Sequence, residues 1–279
     1  MIERIFSEMI EKQWNKNKFV SVGLDSDRDE IPRSAWRETD EETLFHFNRA
    51  IIDSTCDIVS SYKPNIAFYE GIGLGGLSAL IRTVAYIKQY VSDVPVIGDT
   101  KADIGNTSRQ YVKSVFEIFG FDAITINPYL GGEALQPFLS RGEKGIFVLC
   151  RTSNPGAGEF QDLPVCENLP LYQCVAQKVV TEWNRNSNCG LVVGATYPEA
   201  LKKVRQIVGD MPLLIPAIGA QGGEVQKAVE YGMSERKKDA IYTSGRAIIF
   251  ASSGPDFAEA ARRETIKLHE MINQYRELM

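Results

Sequence analysis

Only two of the 279 residues are histidine, His46 and His269, and the five cysteines (Cys56, Cys150, Cys166, Cys174 and Cys189) are scattered with no Cys-x-x-Cys pair. That scarcity argues against a zinc site or a disulfide framework and fits a reducing, cytoplasmic setting. No metal is expected. No apolar run approaches the roughly 18 residues that cross a bilayer, so no membrane partner is expected either. The opening MIERIFSEMIEKQWNKNK has no uninterrupted apolar core of the signal-peptide kind; it reads as an amphipathic helix over about 1–16. An excess of positive charge is also missing. Thirty-one Lys and Arg face 36 Asp and Glu, a net charge of −5, and that field repels a polyanion, which argues against nucleic acid as a partner. There is no Gly-x-Ser-x-Gly elbow, and both histidines fall in helical segments, so serine-nucleophile chemistry lacks its base.

What the chain does contain is ordinary for a globular protein, with 44% hydrophobic and 24% charged residues and no Pro-, Ser- or Gly-rich linker to divide it. Short β-branched runs alternate with helical periodicity throughout. The runs are Phe19–Asp25, Ile58–Pro64, Val94–Lys101, Ala123–Pro128, Gly145–Thr152, Leu191–Thr196, Pro212–Ile218 and Asp239–Gly245. Between them lie candidate helices such as Glu41–Cys56, Leu74–Tyr90, Ser108–Phe119, Leu171–Arg185 and Tyr197–Val208. Eight such units predict an α/β fold, a single-domain (β/α)8 TIM barrel. A doubly wound sheet would carry Gly-x-Gly-x-x-Gly in its first βα turn, and none is there. The sequence GIGLGG at 71–76 has another spacing and reads as a loop entering a helix.

In a barrel, chemistry gathers where the βα loops leave the carboxyl ends of the strands. Polar residues fall at those ends with regularity: Asp25, Lys63, Asp99 with Lys101, Asn127, Arg151 with Ser153, and Arg246. In an extended segment Asp99 and Lys101 share a face and Asp103 comes next on it. Two carboxylates flanking one ammonium favour its charged form, which suits a proton donor and not a Schiff-base nucleophile. Two later segments suit a phosphate: Ile215–Gly223 after the seventh run, with small residues that let backbone N–H groups approach an anion, and Ser244-Gly-Arg246 after the eighth.

Together these pieces resemble the orotidine 5'-phosphate decarboxylase family, in its longer bacterial-type branch. The resemblance spans about Val20 to Phe250 and rests on Val22-Gly-Leu-Asp25, Lys63-Pro-Asn65, Gly98-Asp-Thr-Lys101 with Asp103-Ile-Gly-Asn-Thr107, Asn127-Pro-Tyr129, Arg151-Thr-Ser-Asn-Pro-Gly-Ala157, Gly219-Ala-Gln-Gly-Gly223 and Ser244-Gly-Arg246. It implies decarboxylation of orotidine 5'-monophosphate (OMP) to uridine 5'-monophosphate (UMP) in pyrimidine biosynthesis, without metal or cofactor. It also implies the residue roles. Asp25 and Lys63 would hold the ribose hydroxyls, and Ser153 the pyrimidine amide edge, with Asn127 also in the substrate site. Gln221, Gly222, Gly223 and Arg246 would take the phosphate, while Asp99 and Lys101 stand at the scissile carboxylate. The family is a homodimer whose sites are shared, so Asp103, Ile104 and Thr107 would serve the partner's site.

The chain departs from the family pattern at one point. Two residues normally separate the lysine from the second aspartate, whereas Ala102 alone separates Lys101 from Asp103. In an extended segment that loss moves the downstream residues by about 3.3 Å and turns their side chains over. The shortening leaves open a catalytically silent nucleotide-binding homologue. A magnesium-dependent sugar-phosphate decarboxylase of the same superfamily is a further alternative, against which Ser153-Asn-Pro-Gly-Ala157 weighs.

Overall fold

The computed structural model describes residues 4–102, 107–165, 168–218 and 222–279. Eight parallel strands form its centre: β1 (Val20–Leu24), β2 (Ser61–Pro64), β3 (Ile97–Ala102), β4 (Ala123–Ile126), β5 (Gly145–Arg151), β6 (Cys189–Val193), β7 (Leu213–Pro216) and β8 (Ala240–Ser244). They are hydrogen-bonded in the order β2-β1-β8-β7-β6-β5-β4-β3. The remaining seam, between β2 and β3, is closed by the Tyr62 N–H donating to Pro95 O at 3.1 Å and by parallel bridges Tyr62–Val96 and Asn65–Asp99. The expected barrel is thus present, each strand lying within or overlapping its predicted run. Residues of β1, β2, β4, β6 and β8 are buried on both faces. That is why the strands read as continuous apolar runs and not as an alternation.

Helices wrap the outside. The main ones are α2 (Asp40–Thr55), α4 (Leu74–Tyr90), α6 (Gly131–Leu139), α9 (Pro198–Val208), α10 (Gly222–Gly232) and α12 (Phe257–Glu277), with the short α11 (Arg246–Ile249) between the last two. The Thr39 hydroxyl caps α2 by accepting from the Glu42 N–H, and Asp40, Glu41 and Glu42 in the first turn suit the positive end of the helix dipole. In α12, Phe257, Ala260, Ala261, Leu268 and Ile272 form the buried stripe. Two predicted helices change their winding. α5 (Ser108–Val112) continues as a π-helix over Lys113–Ile118, and α8 (Leu171–Lys178) continues as one over Val179–Trp183. Short α3 (Ile66–Glu70) meets α4 through Gly71 and Gly73, and the φ of 85° at Gly73 suits glycine.

The amphipathic segment at the amino terminus forms α1 (Phe6–Asn15), which lies across the amino ends of the strands. Phe6 meets Phe147 edge to face at 5.7 Å, and the Trp14 indole donates to Ala240 O at 3.0 Å. Phe6 can seat there because residue 145 is glycine: a Cβ would sit 2.4 Å from the Phe6 ring. With α1 packed across the amino ends, the open cleft lies at the carboxyl ends of the strands.

Candidate active site

A cavity of about 710 Å³ opens at the carboxyl ends of the strands, of a size that accepts a small-molecule ligand. Asp25 follows β1, Lys63 lies in β2, Asp99 and Lys101 lie in β3, and Ser153 and Arg246 follow β5 and β8; all six line this cavity. Parallel strands in register bring together residues far apart in sequence. Gly23 pairs with Lys63 across β1 and β2, and the Asn65–Asp99 bridge sets β3 beside them.

Asp99 is the centre of the group. Lys63 Nζ lies 2.6 Å from its Oδ2 and Lys101 Nζ 2.5 Å from its Oδ1. The Thr125 hydroxyl donates to Oδ1 at 2.9 Å and also accepts from the Lys101 backbone N–H at 3.1 Å. Burial alone would raise the Asp99 pKa, but the charges and hydrogen bonds of the two lysines outweigh it and hold the carboxyl well below the usual range. Lys63 is buried, which opposes its charge, yet Asp99 and Asp25 reverse that and raise its pKa. Asp25 behaves oppositely: burial, with repulsion from Asp99, raises its pKa against the pull of Lys63, Lys101 and Arg246. Its buried Oδ1 has no hydrogen-bond partner among the described residues. A buried carboxylate oxygen in that state is suited to accept from a ligand hydroxyl.

The geometry differs from simple alternation along β3. Its pairing with β4 shifts between Gly98 and Ala102, and Lys101 adopts φ 42°, a left-handed conformation uncommon for a side-chain-bearing residue. The lysine therefore reaches Asp99 through a local irregularity and not through period two. Within the described residues the grouping is one carboxylate between two ammonium groups; Asp103, expected as the second carboxylate beside Lys101, lies outside the described residues, as do Ile104 and Gln221. Gly222 and Gly223 open α10. Thr107 is exposed just before α5 and does not line the cavity. Asn127 does not line it either: β4 ends at Ile126, and the Asn127 Oδ1 accepts from the Tyr129 N–H at 3.0 Å, closing a local turn.

Arg151 is also turned away from the cavity. The register of β5 against β6 slips between Leu149, which lines the cavity, and Arg151, so the two do not share a face. Sequence reasoning missed Thr125 and Gln161, both at the cavity wall. Neither carries a charge, and Thr125 read as one more β-branched strand residue; its only signal was an inward position in β4. Among the described residues no group of three His, Cys, Asp or Glu could hold a metal ion, and no helix is long and apolar enough to cross a membrane.

Because the Asp99 pKa is depressed on folding, its ion pairs contribute stability above the unfolded carboxylate value of about 4, and this is lost as pH falls through the lower folded value. Denaturant titrations of wild type and Asp99→Asn should therefore differ most near neutrality and converge as pH drops below about 4. A gap that stays constant down to acid pH would contradict this ion-pair assignment.

Comparison with known proteins agrees with this architecture. Residues 20–263 match the model of the "Orotidine 5'-phosphate decarboxylase / HUMPS family". An orotidine 5'-phosphate decarboxylase from Cellvibrio japonicus is 44% identical over 270 residues, covering 96% of this chain and 98% of the relative. One from Halorubrum lacusprofundi is 48% identical over 269 residues, covering 92% and 94%. Among solved structures, Leishmania donovani OMP decarboxylase superposes with a TM-score of 0.83 at 32% identity, covering 98% of both chains. With a family match over most of its length and relatives this similar across nearly all of it, the chain belongs to the orotidine 5'-phosphate decarboxylase family.

Proposed function

We propose that the protein decarboxylates OMP to UMP in pyrimidine biosynthesis, with no metal or cofactor. The observation that carries this reading is the Lys63–Asp99–Lys101 cluster at the wall of a nucleotide-sized cavity. Family membership and the names of the relatives favour it over a silent homologue or a magnesium-dependent sugar-phosphate decarboxylase.

The reaction breaks the bond between C6 and the carboxylate carbon. CO2 leaves, the electron pair stays on C6, and the ring delocalises it poorly. For very slow reactions of this kind the barrier must fall by towards about 20 kcal/mol. Fixed positive charge where negative charge develops is the effective remedy, because it needs no reorganisation during the reaction. Lys101 supplies it. Asp99 holds that ammonium in place at 2.5 Å; the ammonium then gives its proton to C6, and the lysine regains one from solvent. Asp99, ionised and mostly buried, stands beside the departing carboxylate, and loss of CO2 relieves their repulsion.

Asp25, whose Oδ1 has no partner among the described residues, accepts from a ribose hydroxyl, and Lys63 donates to the ribose. Ser153 meets the amide edge of the base. The phosphate falls to Arg246 and to Gln221, Gly222 and Gly223 at the start of α10, where helix-terminal N–H groups favour an anion. Its binding energy supports the chemistry at a distance. The protein acts in the cytoplasm as a homodimer, each subunit contributing Asp103, Ile104 and Thr107 to its partner's site. Tyr111 on α5 and Tyr129 and Leu130 in the segment between β4 and α6 are exposed large hydrophobic residues, and such exposure supports a contact.

Purified protein with a chelator present should consume OMP, followed by its ultraviolet absorbance, and Lys101→Ala should lower kcat/KM by about 1,000-fold or more. Activity lost on chelation would favour the metal-dependent rival; UMP binding without turnover would favour the silent homologue. Shared sites have a separate signature. Mixing inactive Lys101→Ala and Asp103→Ala proteins should restore up to about a quarter of wild-type activity, since half the dimers are hybrids with one intact site. No recovery after verified subunit exchange would show that each site is complete within one chain.

A further inference from the structure

Arg151 ends β5 just outside the cavity, and its side chain is only 4% exposed. Its Nε and Nη2 donate to the two Asp162 carboxylate oxygens at 2.8 and 3.0 Å, a bidentate fork. Nη1 donates to Thr152 O at 2.9 Å, and the guanidinium lies 3.8 Å from the centre of the Tyr197 ring. One side chain thus ties the end of β5 to the segment after α7 (Gly158–Gln161) and to the turn before α9. On the cavity side of the same tie, the Thr152 N–H donates to Gln161 Oε1 at 2.8 Å, Gln161 Nε2 donates to the Thr152 hydroxyl at 2.9 Å, and that hydroxyl donates to Asn154 Oδ1 at 2.7 Å. Ser153 lies between these groups. It is backed by Gly194, where a Cβ would fall 2.7 Å from the Ser153 Cβ, and Gly194 N–H donates to Arg151 O at 2.8 Å.

We propose that the Arg151–Asp162 fork is a positioning clamp for base recognition: it holds Ser153, Asn154 and Gln161 as a preformed wall against the pyrimidine ring. The inference rests on the OMP reading above, in which Ser153 faces the base. The grounds are geometric. Gln161 is four residues beyond Ala157 on a short segment with few buried contacts, and α7 itself buries no residue. Such a segment holds a side chain in place only if something outside it pins the segment down. Asp162, next in sequence to Gln161, is the pinned residue. The ribose and phosphate groups of the site come from β1, β2, β8 and α10, on other parts of the barrel rim. Loosening the clamp therefore costs recognition of the base and spares the sugar-phosphate contacts.

The test compares a ligand that has the base with one that lacks it. For Asp162→Asn and Arg151→Met, KM for OMP and the dissociation constant of UMP should rise together by about ten- to a hundred-fold, the range for a lost charged hydrogen bond. Affinity for ribose 5-phosphate should stay within about twofold of wild type, and kcat should fall by less than about threefold. Arg151→Lys, which keeps the charge but not the fork, should fall between wild type and Arg151→Met. Equal losses for UMP and ribose 5-phosphate, or no loss for UMP, would overturn the clamp. Should Arg151→Met fail to fold, Asp162→Asn at an exposed position carries the same comparison. The wild-type control separates the clamp from the function beneath it: wild-type protein that neither turns over OMP nor prefers UMP to ribose 5-phosphate overturns the functional reading itself, whatever the variants do.

Discussion

The site depends on one carboxylate held between two ammonium groups. Asp99 accepts from Lys63 and Lys101 on separate oxygens, with the Thr125 hydroxyl as a third partner. Removing any of these groups from water is costly, and the arrangement stands because each charge is neutralised by a neighbour. Asp25 is the member left over. With Asp99 satisfied by both lysines, Asp25 keeps a buried oxygen without a partner among the described residues and a raised pKa. The protein thus carries an electrostatic cost at the point where a ligand hydroxyl would relieve it.

The barrel supplies the rigidity that this arrangement needs. Each charged residue extends from the end of a strand whose other residues are largely buried, so the backbone beneath it is fixed. Closure of the β2–β3 seam matters most, because it sets Lys63 beside Asp99. The wall formed after β5 is different in kind. It stands on a short helix without buried residues, and its order comes from the Arg151 fork and the hydrogen bonds of Thr152.

Much of this was legible in the residues. Eight β-branched runs, most of them with polar or charged residues at their ends, announce a barrel, because burial on both strand faces and chemistry at one rim are both written as local composition. Asp25, Lys63, Asp99, Lys101, Ser153 and Arg246 all reach the cavity for that reason. The remainder depended on features without a local signature. A slipped register turns Arg151 outward, an early strand end leaves Asn127 in its own turn, and a positive φ at Lys101 replaces the extended segment that period two assumes. Thr125 and Gln161 were invisible because neutral residues acquire their role only from what surrounds them.

In the proposed reaction the Lys101 ammonium stabilises and protonates a carbanion at C6. By microscopic reversibility, a site that delivers a proton to C6 also removes it from bound product, and UMP in D2O should then exchange its C6 hydrogen for deuterium. Proton NMR of UMP incubated with the protein in D2O reads this directly. The expected result is steady loss of the C6–H resonance with wild type and none above background with Lys101→Ala. A resonance that persists with wild-type protein while OMP is being turned over, or one lost equally with Lys101→Ala, would contradict that role for Lys101.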